Sequence, residues 1–145
     1  MYYIHKITYQ IGRRADNFDL FIEDKMMDEM IAYCGLDCLP CPIYLATREK
    51  NEEKKKKMKI RIIHECKTRY GIELKLEDVT DCDGCLTEGG RLFSGCKECP
   101  IRDCASEKGI ANCAHCEQYA CEKLGKFFVT DPGAKERLDQ IRSRI

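Results

Sequence analysis

Residues 82–121 read CDGCLTEGGRLFSGCKECPIRDCASEKGIANCAHCEQYAC and hold eight of the chain's twelve cysteines. Three CxxC pairs stand inside this stretch: Cys82 with Cys85, Cys96 with Cys99, and Cys113 with Cys116. Two thiolates three positions apart on a tight turn can both reach one ion at about 2.3 Å, the spacing that structural zinc sites use. Gly84 suits the positive-φ position of such a turn. A single CxxC is shared with redox motifs, whereas three in so short a stretch point to metal. Cys96-x2-Cys99-x4-Cys104 is echoed by Cys113-x2-Cys116-x4-Cys121, two knuckles each followed by a cysteine on the next helix. Both units are expected to present three thiolates to one side. Residues 100–108 are expected to be a short helix with Gly109 just past its end. Residues 117–128 are expected to be another, with Cys121, Leu124 and Phe128 on one face.

Upstream, residues 31–42 read IAYCGLDCLPCP and supply Cys34, Cys38 and Cys41. Pro42 fits the first position of a helix over residues 43–48, where its missing N–H costs nothing. The run EKNEEKKKK at 49–57 places Glu52 and Glu53 four residues before Lys56 and Lys57, so it reads as a solvated helix face rather than a nucleic-acid contact. Met58, Ile62, Cys66 and Tyr70, with Ile63 beside them, form one apolar helix stripe that Gly71 ends. Ile72, Leu74 and Leu76 alternate with charged residues and suggest a short extended segment. Downstream, Asp131 caps a last helix with Pro132 as its first residue and Ala134, Leu138, Ile141 and Ile145 as its inner stripe.

Residues 1–25 hold no cysteine and follow no clear period; Tyr3, Ile7 and Tyr9 suit a short strand. Glu23-Asp24 can be encoded by a ribosome-binding sequence shortly before Met26 and Met27. The expectation is an N-terminal extension over 1–25 that is not native, followed by a single cysteine-rich metal-binding domain over 26–145. The competing reading is an ordinary N-terminal strand or helix.

Lys and Arg balance Asp and Glu at 25 each, so no global field calls for nucleic acid or an anionic membrane. Leu, Ile, Val and Phe are 31 of 145 residues, close to the composition of chains that cannot bury enough apolar surface to fold alone. Cysteine chemistry must make up the difference. The N-terminus has no apolar stretch of signal-peptide length and no segment approaches a membrane span. These features predict a cytoplasmic protein, where thiols stay reduced unless a metal takes them.

Grouped by sequence, the thiols form three sets: Cys34, Cys38, Cys41 and Cys66; Cys82, Cys85, Cys96 and Cys99; Cys104, Cys113, Cys116 and Cys121. Cross-braced pairings use the same residues. Cys66 also lies on the apolar stripe, where a buried free thiol is an ordinary core residue, and is left out of the ligand set. The expected cofactor is zinc, two to three ions per chain, and the alternative is an iron–sulfur cluster. Cys34-x3-Cys38-x2-Cys41 has the spacing radical enzymes use for a [4Fe–4S] cluster, but the chain is too short for their barrel. The ferredoxin run is absent as well. Lys97, Arg102, Lys108 and Lys123 stand where they could offset thiolate charge. His64 and His115 read as bystanders, Tyr33, Tyr44 and Tyr119 as packing over the sites, and Gly89-Gly90-Arg91 as a loop. The fold class expected is a small α-rich (α+β) cysteine-rich domain, with short helices and zinc-knuckle turns organised around metal sites.

The segments AYCGLDCLPCPIYLAT, CDGC, GRLFSGCKECPIRDCA and GIANCAHCEQYACEKLGKFF together resemble a cysteine-rich family of bacteria and archaea, the domain of unknown function thirty-seven ninety-five. The resemblance covers roughly residues 30–140 and takes in eleven cysteines, Cys66 standing outside it. It implies a zinc-binding role, no established activity and no catalytic residues. The resulting reading is a zinc-binding protein with mainly structural metal, acting through binding or regulation. Its partner would be an unidentified protein, with no nucleic acid or membrane. The alternatives are an iron–sulfur redox protein or a thiol-based metal or redox sensor. No paired carboxylates, nucleophile motif or nucleotide loop supports a hydrolase or kinase.

Overall fold

In the computed structural model, which describes residues 29–145, the chain from Ile31 to Asp37 doubles back on itself. Ala32 N–H donates to Leu36 O at 2.7 Å, Gly35 N–H to Ala32 O at 2.9 Å and Cys38 N–H to Met30 O at 2.8 Å. Gly35 holds φ +90°, a conformation that L side chains rarely adopt. The Asp37 carboxylate accepts from the N–H groups of Met30 and Leu39 and locks the turn. Three cysteines thereby emerge from one short, tightly bonded loop. The expectations for residues 1–25, and for a start at Met26 or Met27, lie outside the described residues.

Helix α1, Pro42–Arg48, starts with Cys41 as its N-cap and Pro42 in its first turn, and buries Ile43 and Ala46. Helix α2, Glu52–Tyr70, is capped by the Asn51 side chain, which accepts from Lys54 N–H at 3.0 Å. Glu52 and Glu53 in its first turn complement the helix dipole. Gly71 closes it at φ +66°. Lys54, Lys56 and Lys57 are exposed, as a solvated face requires, while Lys55 and Lys59 reach to Asp81 at 3.1 and 3.6 Å. The segment 72–75 has no strand pairing. It leads into a 3-10 turn, Leu76–Asp78, while Ile72 and Leu74 rest on the apolar residues below them. The alternating pattern there reflects one-sided contact with the core, not a sheet.

A short helix α3, Ser94–Lys97, precedes α4, Pro100–Glu107, which has Cys99 as N-cap and buries Ile101 and Ala105. The Asn112 side chain caps a 3-10 turn, Cys113–His115. Helix α5, Glu122–Thr130, begins later than the sequence suggested. Residues 112–119 are spent in tight turns: Cys116 N–H donates to Cys113 O and Tyr119 N–H to Cys116 O, each at 3.1 Å. Cys121 is therefore the extended N-cap of α5, at ψ 171°, and not a residue on its face. Helix α6, Pro132–Arg142, opens as expected on the Asp131 side chain, which accepts from Ala134 N–H at 3.1 Å. Ala134 and Leu138 are fully buried, whereas Ile145 lies beyond the helix and is exposed.

The described chain is mostly helical. Its one β feature among the described residues is the isolated antiparallel bridge between Ile31 and Asp37. The β part of the expected α+β class is thus reduced to that bridge, because the knuckle turns leave no run long enough to pair. Two apolar clusters form the core. One packs Leu36 of the 31–37 turn against Ile101, Leu124, Phe127, Phe128 and Leu138 of the later helices. The other packs α1 and α2 against Val79, Cys82 and Phe93.

Candidate metal centre

Seven cysteines line one cavity. Cys34, Cys38 and Cys41 come from the first turn, Cys82 and Cys85 from the second, and Cys96 and Cys99 from the turn around α3. Local hydrogen bonds fix these turns. Cys41 N–H donates to Cys38 O at 3.1 Å. Cys82 N–H donates to the Thr47 hydroxyl at 2.8 Å, and that hydroxyl donates to Ile43 O in α1. Gly84 takes φ +104° where a Cβ would stand 2.5 Å from the Met30 sulfur. Asp83 and Arg91 close the loop after the knuckle through paired side-chain bonds of 2.8 and 3.0 Å. Arg91 also holds Asp81 at 2.8 Å. Its guanidinium keeps the Asp83 carboxyl down at about 2, so the Gly89-Gly90-Arg91 loop is occupied by the protein's own carboxylates.

The walls of this cavity are apolar: Ile43, Phe93 and Ile101, with Tyr33 and Tyr44. Burial pushes the Cys38 thiol up to about 12 and those of Cys41 and Cys85 to about 11. Cys34 and Cys96 are raised well above the usual thiol range, again by burial first and by neighbouring sulfurs next. The backbone N–H of Leu36 opposes this at Cys34, as do those of Ile43 and Tyr44 at Cys41. Without a cation these groups are thiols at neutral pH. A bound dication reverses the balance, since a coordinating thiol is deprotonated outright.

A second cavity is lined by Cys104, Cys113, Cys116 and Cys121. Ile101 of α4 lines both cavities and forms part of the wall between them. The Lys108 ammonium lies 3.3 Å from Cys116 Sγ and 3.2 Å from Gln118 Oε1. The hydrogen bond to that sulfur, with the Cys104 and Cys121 sulfurs nearby, holds the lysine's own pKa above its ordinary value. Burial pushes Cys113 up to about 12. Helix α6 grips this knuckle from outside. Arg142 Nη1 donates to the carbonyls of Ala114 at 2.7 Å and Cys116 at 3.1 Å, and its guanidinium sits 5.0 Å from the Tyr119 ring centroid. The Tyr119 hydroxyl donates in turn to Asp139. The two cavities are joined through the backbone, Cys113 N–H donating to Tyr33 O at 2.9 Å.

All twelve cysteines are free thiols. The set Cys104, Cys113, Cys116 and Cys121 shares one cavity, as grouped from sequence. The other two sets do not stay apart: their members merge around the first cavity, and Cys66 is excluded from it. Cys66 is fully buried among Ile43, Ile62, Val79 and Phe93 and lines neither cavity. The 17-residue echo also divides. Cys96 and Cys99 face the first cavity while Cys104, one turn into α4, faces the second, so that unit does not present three thiolates to one side. His64 and His115 are exposed and line neither cavity. Arg102 and Lys108 stand beside sulfurs, Arg102 donating to Cys85 O at 3.1 Å, whereas Lys97 faces a different groove with Lys59 and Arg91. The Arg142–Tyr119–Asp139 clamp had no sequence signal, because its partners lie 20 to 28 residues apart.

Among the described residues, no three or more Cys, His, Asp or Glu side chains are arranged to hold an ion as they stand. The sulfurs line common spaces without converging on a point. The chemistry of the donors suits a soft, tetrahedral dication.

No curated protein and no solved structure matches the chain. Among the described residues, no helix is long and apolar enough to cross a membrane. A family model does match, over residues 30–126, which takes in both cavities and all twelve cysteines. The chain therefore belongs to the family described as protein of unknown function (DUF3795).

Proposed function

We propose that this protein binds zinc through its cysteine cavities, that the metal is mainly structural, and that the protein acts by binding or regulation in a reducing compartment. The observation that carries this reading is the sorting of the thiols. Sequence-distant turns send seven cysteines to one space and four to another, while the twelfth is kept in the apolar core. Four sulfurs on one ion make a closed tetrahedral site, which holds a fold but offers no open position to substrate or water. Leu, Ile, Val and Phe are only 31 of the 145 residues. A structural zinc contributes roughly 10–16 kcal/mol of apparent binding energy at neutral pH, as much as the whole stability of a domain. On this reading the knuckle turns are organised by metal, and residues 26–145 work as one cysteine-rich unit.

The test is purification of the full chain without oxygen, followed by its visible spectrum and metal content. A colourless protein with stoichiometric zinc is expected. Brown protein with stoichiometric iron and sulfide would replace this reading with the iron–sulfur redox alternative.

A further inference from the structure

Away from the cysteine cavities, Lys59 of α2, Thr80, Asp81, the 90–92 segment and Lys97 of α3 line an open groove of about 470 Å3. Its one carboxylate, Asp81, is shared by three cations: Arg91 Nη1 at 2.8 Å, Lys55 Nζ at 3.1 Å and Lys59 Nζ at 3.6 Å. Asp83 also holds Arg91. With Lys97, four cations stand against two carboxylates in a chain whose net charge is zero, so the excess is local. The side chains of Lys55 and Lys59 are only 17% and 19% exposed, and cations withdrawn from water cost free energy until an anion pairs with them. Donors are left over as well. Lys59 stands beyond hydrogen-bond reach of Asp81. Arg91 spends three of its five N–H groups on Asp81 and Asp83. Lys97 has no hydrogen bond or ion pair among the described residues. Three separate elements thus bring unspent donors to one groove.

Resting on the binding role proposed above but not on its metal, we propose that this groove docks an acidic peptide segment of a protein partner. The partner's carboxylates take the donors of Lys59, Arg91 and Lys97 that the protein's own carboxylates leave free. Asp81 and Asp83 then act as positioning residues, since they hold Arg91 in place from the protein side. A nucleic acid fits this groove poorly. No aromatic side chain lines it for a base to stack on, and Asp81 among the cations opposes a continuous phosphate chain. A peptide carries its charges singly and can set them beside Lys59 and Lys97 without crowding Asp81. Leu92, in the same lining, meets its apolar portions.

The experiment titrates the full chain, isotope-labelled for NMR and purified without oxygen, with an end-capped peptide of glutamates at low salt. Saturable shifts are expected at the backbone amides of Thr80, Gly90, Leu92 and Lys97. Lys59→Met and Lys97→Met should each weaken the peptide several-fold, by a factor that shrinks as salt is added. Lys54→Met, at an exposed lysine of α2 that does not line the groove, should leave binding unchanged. Should Lys59→Met disturb the fold, Lys97→Met decides, because Lys97 holds no partner in place. Absence of binding, shifts spread over the other lysines, or equal weakening by Lys54→Met would overturn the site. Tighter binding of a single-stranded thymidine oligonucleotide at the same amides would overturn the peptide as its occupant. The metal content of the same sample reads the zinc proposal separately: peptide binding by protein that carries no zinc would uphold the groove and overturn the metal, and zinc-loaded protein that ignores the peptide would do the reverse.

Discussion

Gly35 lies directly against the backbone of α6: a Cβ added to it would stand 2.3 Å from the Ala134 carbonyl oxygen and 2.7 Å from Leu138 Cγ. The turn that carries Cys34 and Cys38 is thereby seated on the last helix, about a hundred residues away in sequence. Arg137 of the same helix donates to Gly35 O at 3.1 Å.

Gly35→Ala combines positive φ with a backbone clash that no side-chain rotation relieves. A stability loss of about 2–4 kcal/mol is expected, together with reduced metal uptake at the seven-cysteine cavity. Gly125, exposed within α5 with nothing near its added Cβ, gives the opposite result. Gly125→Ala should stabilise by about 0.5–1 kcal/mol. Chemical denaturation of both variants checks the pair; equal effects would refute the close-approach account of Gly35.

Cys66→Val should leave metal content unchanged and alter stability by about 1 kcal/mol, since Cys66 is an apolar core residue outside both cavities. Metal analysis of the purified variant decides. Loss of one whole ion would make Cys66 a ligand.

Cys116→Ser should remove about one ion per chain and loosen α5 and α6 together. Cys121 at the entry to α5 shares its cavity, and Arg142 of α6 is anchored on its carbonyl. The loss should amount to several kcal/mol of apparent stability. Circular dichroism with metal analysis reads both. Native helix content and thermal midpoint after loss of one ion would mean that this metal is not structural.

The raised thiols give a pH dependence of definite sign. Cys38 and Cys113 sit at about 12 and Cys41 and Cys85 at about 11, so ion binding at neutral pH expels their protons. Zinc affinity should therefore rise with pH across the neutral range, and proton release is measurable with an indicator in weak buffer. The metal-free fold responds in the other direction. Its buried thiols keep protons that the unfolded chain, with thiols near 9.0, gives up first. Its stability should be level below about pH 9 and fall as pH rises toward 11–12. A metal-free form that gains stability over that window would contradict the burial assigned to these groups.

Lys108→Met should weaken zinc at the four-cysteine cavity a few-fold, with an effect that shrinks as salt is added, because the ammonium faces Cys116 Sγ from an exposed position. Competition with a metal-binding dye at two salt concentrations measures it; an unchanged affinity would reduce Lys108 to an ordinary surface residue.

Local signals were legible wherever one residue fixes the backbone by itself. Pro42 and Pro100 open helices, Gly71 closes one, Asp131 caps α6, and Gly84 turns a knuckle at positive φ. Each acts within four or so residues, and sequence spacing reports that range directly. The start of α5 was misread because Leu124 and Phe128 repeat helically while Cys116 and Tyr119 are committed to turns. Periodicity carries no mark for a backbone already turning elsewhere.

The sequence by itself determined that the chain is mostly helical and rich in closely spaced cysteines, that Cys66 stood on an apolar helix stripe, and which family it belongs to. It could not decide which knuckles share a space. A CxxC fixes two sulfurs relative to each other, but the approach of one knuckle to another depends on contacts made far along the chain. Gly35 on Ala134, Cys82 on Thr47 and Cys113 on Tyr33 bring the turns together, and Ile101 of α4 divides seven sulfurs from four. Only tertiary packing sets those distances, because none of the residues involved differs in kind from neighbours that make no such contact.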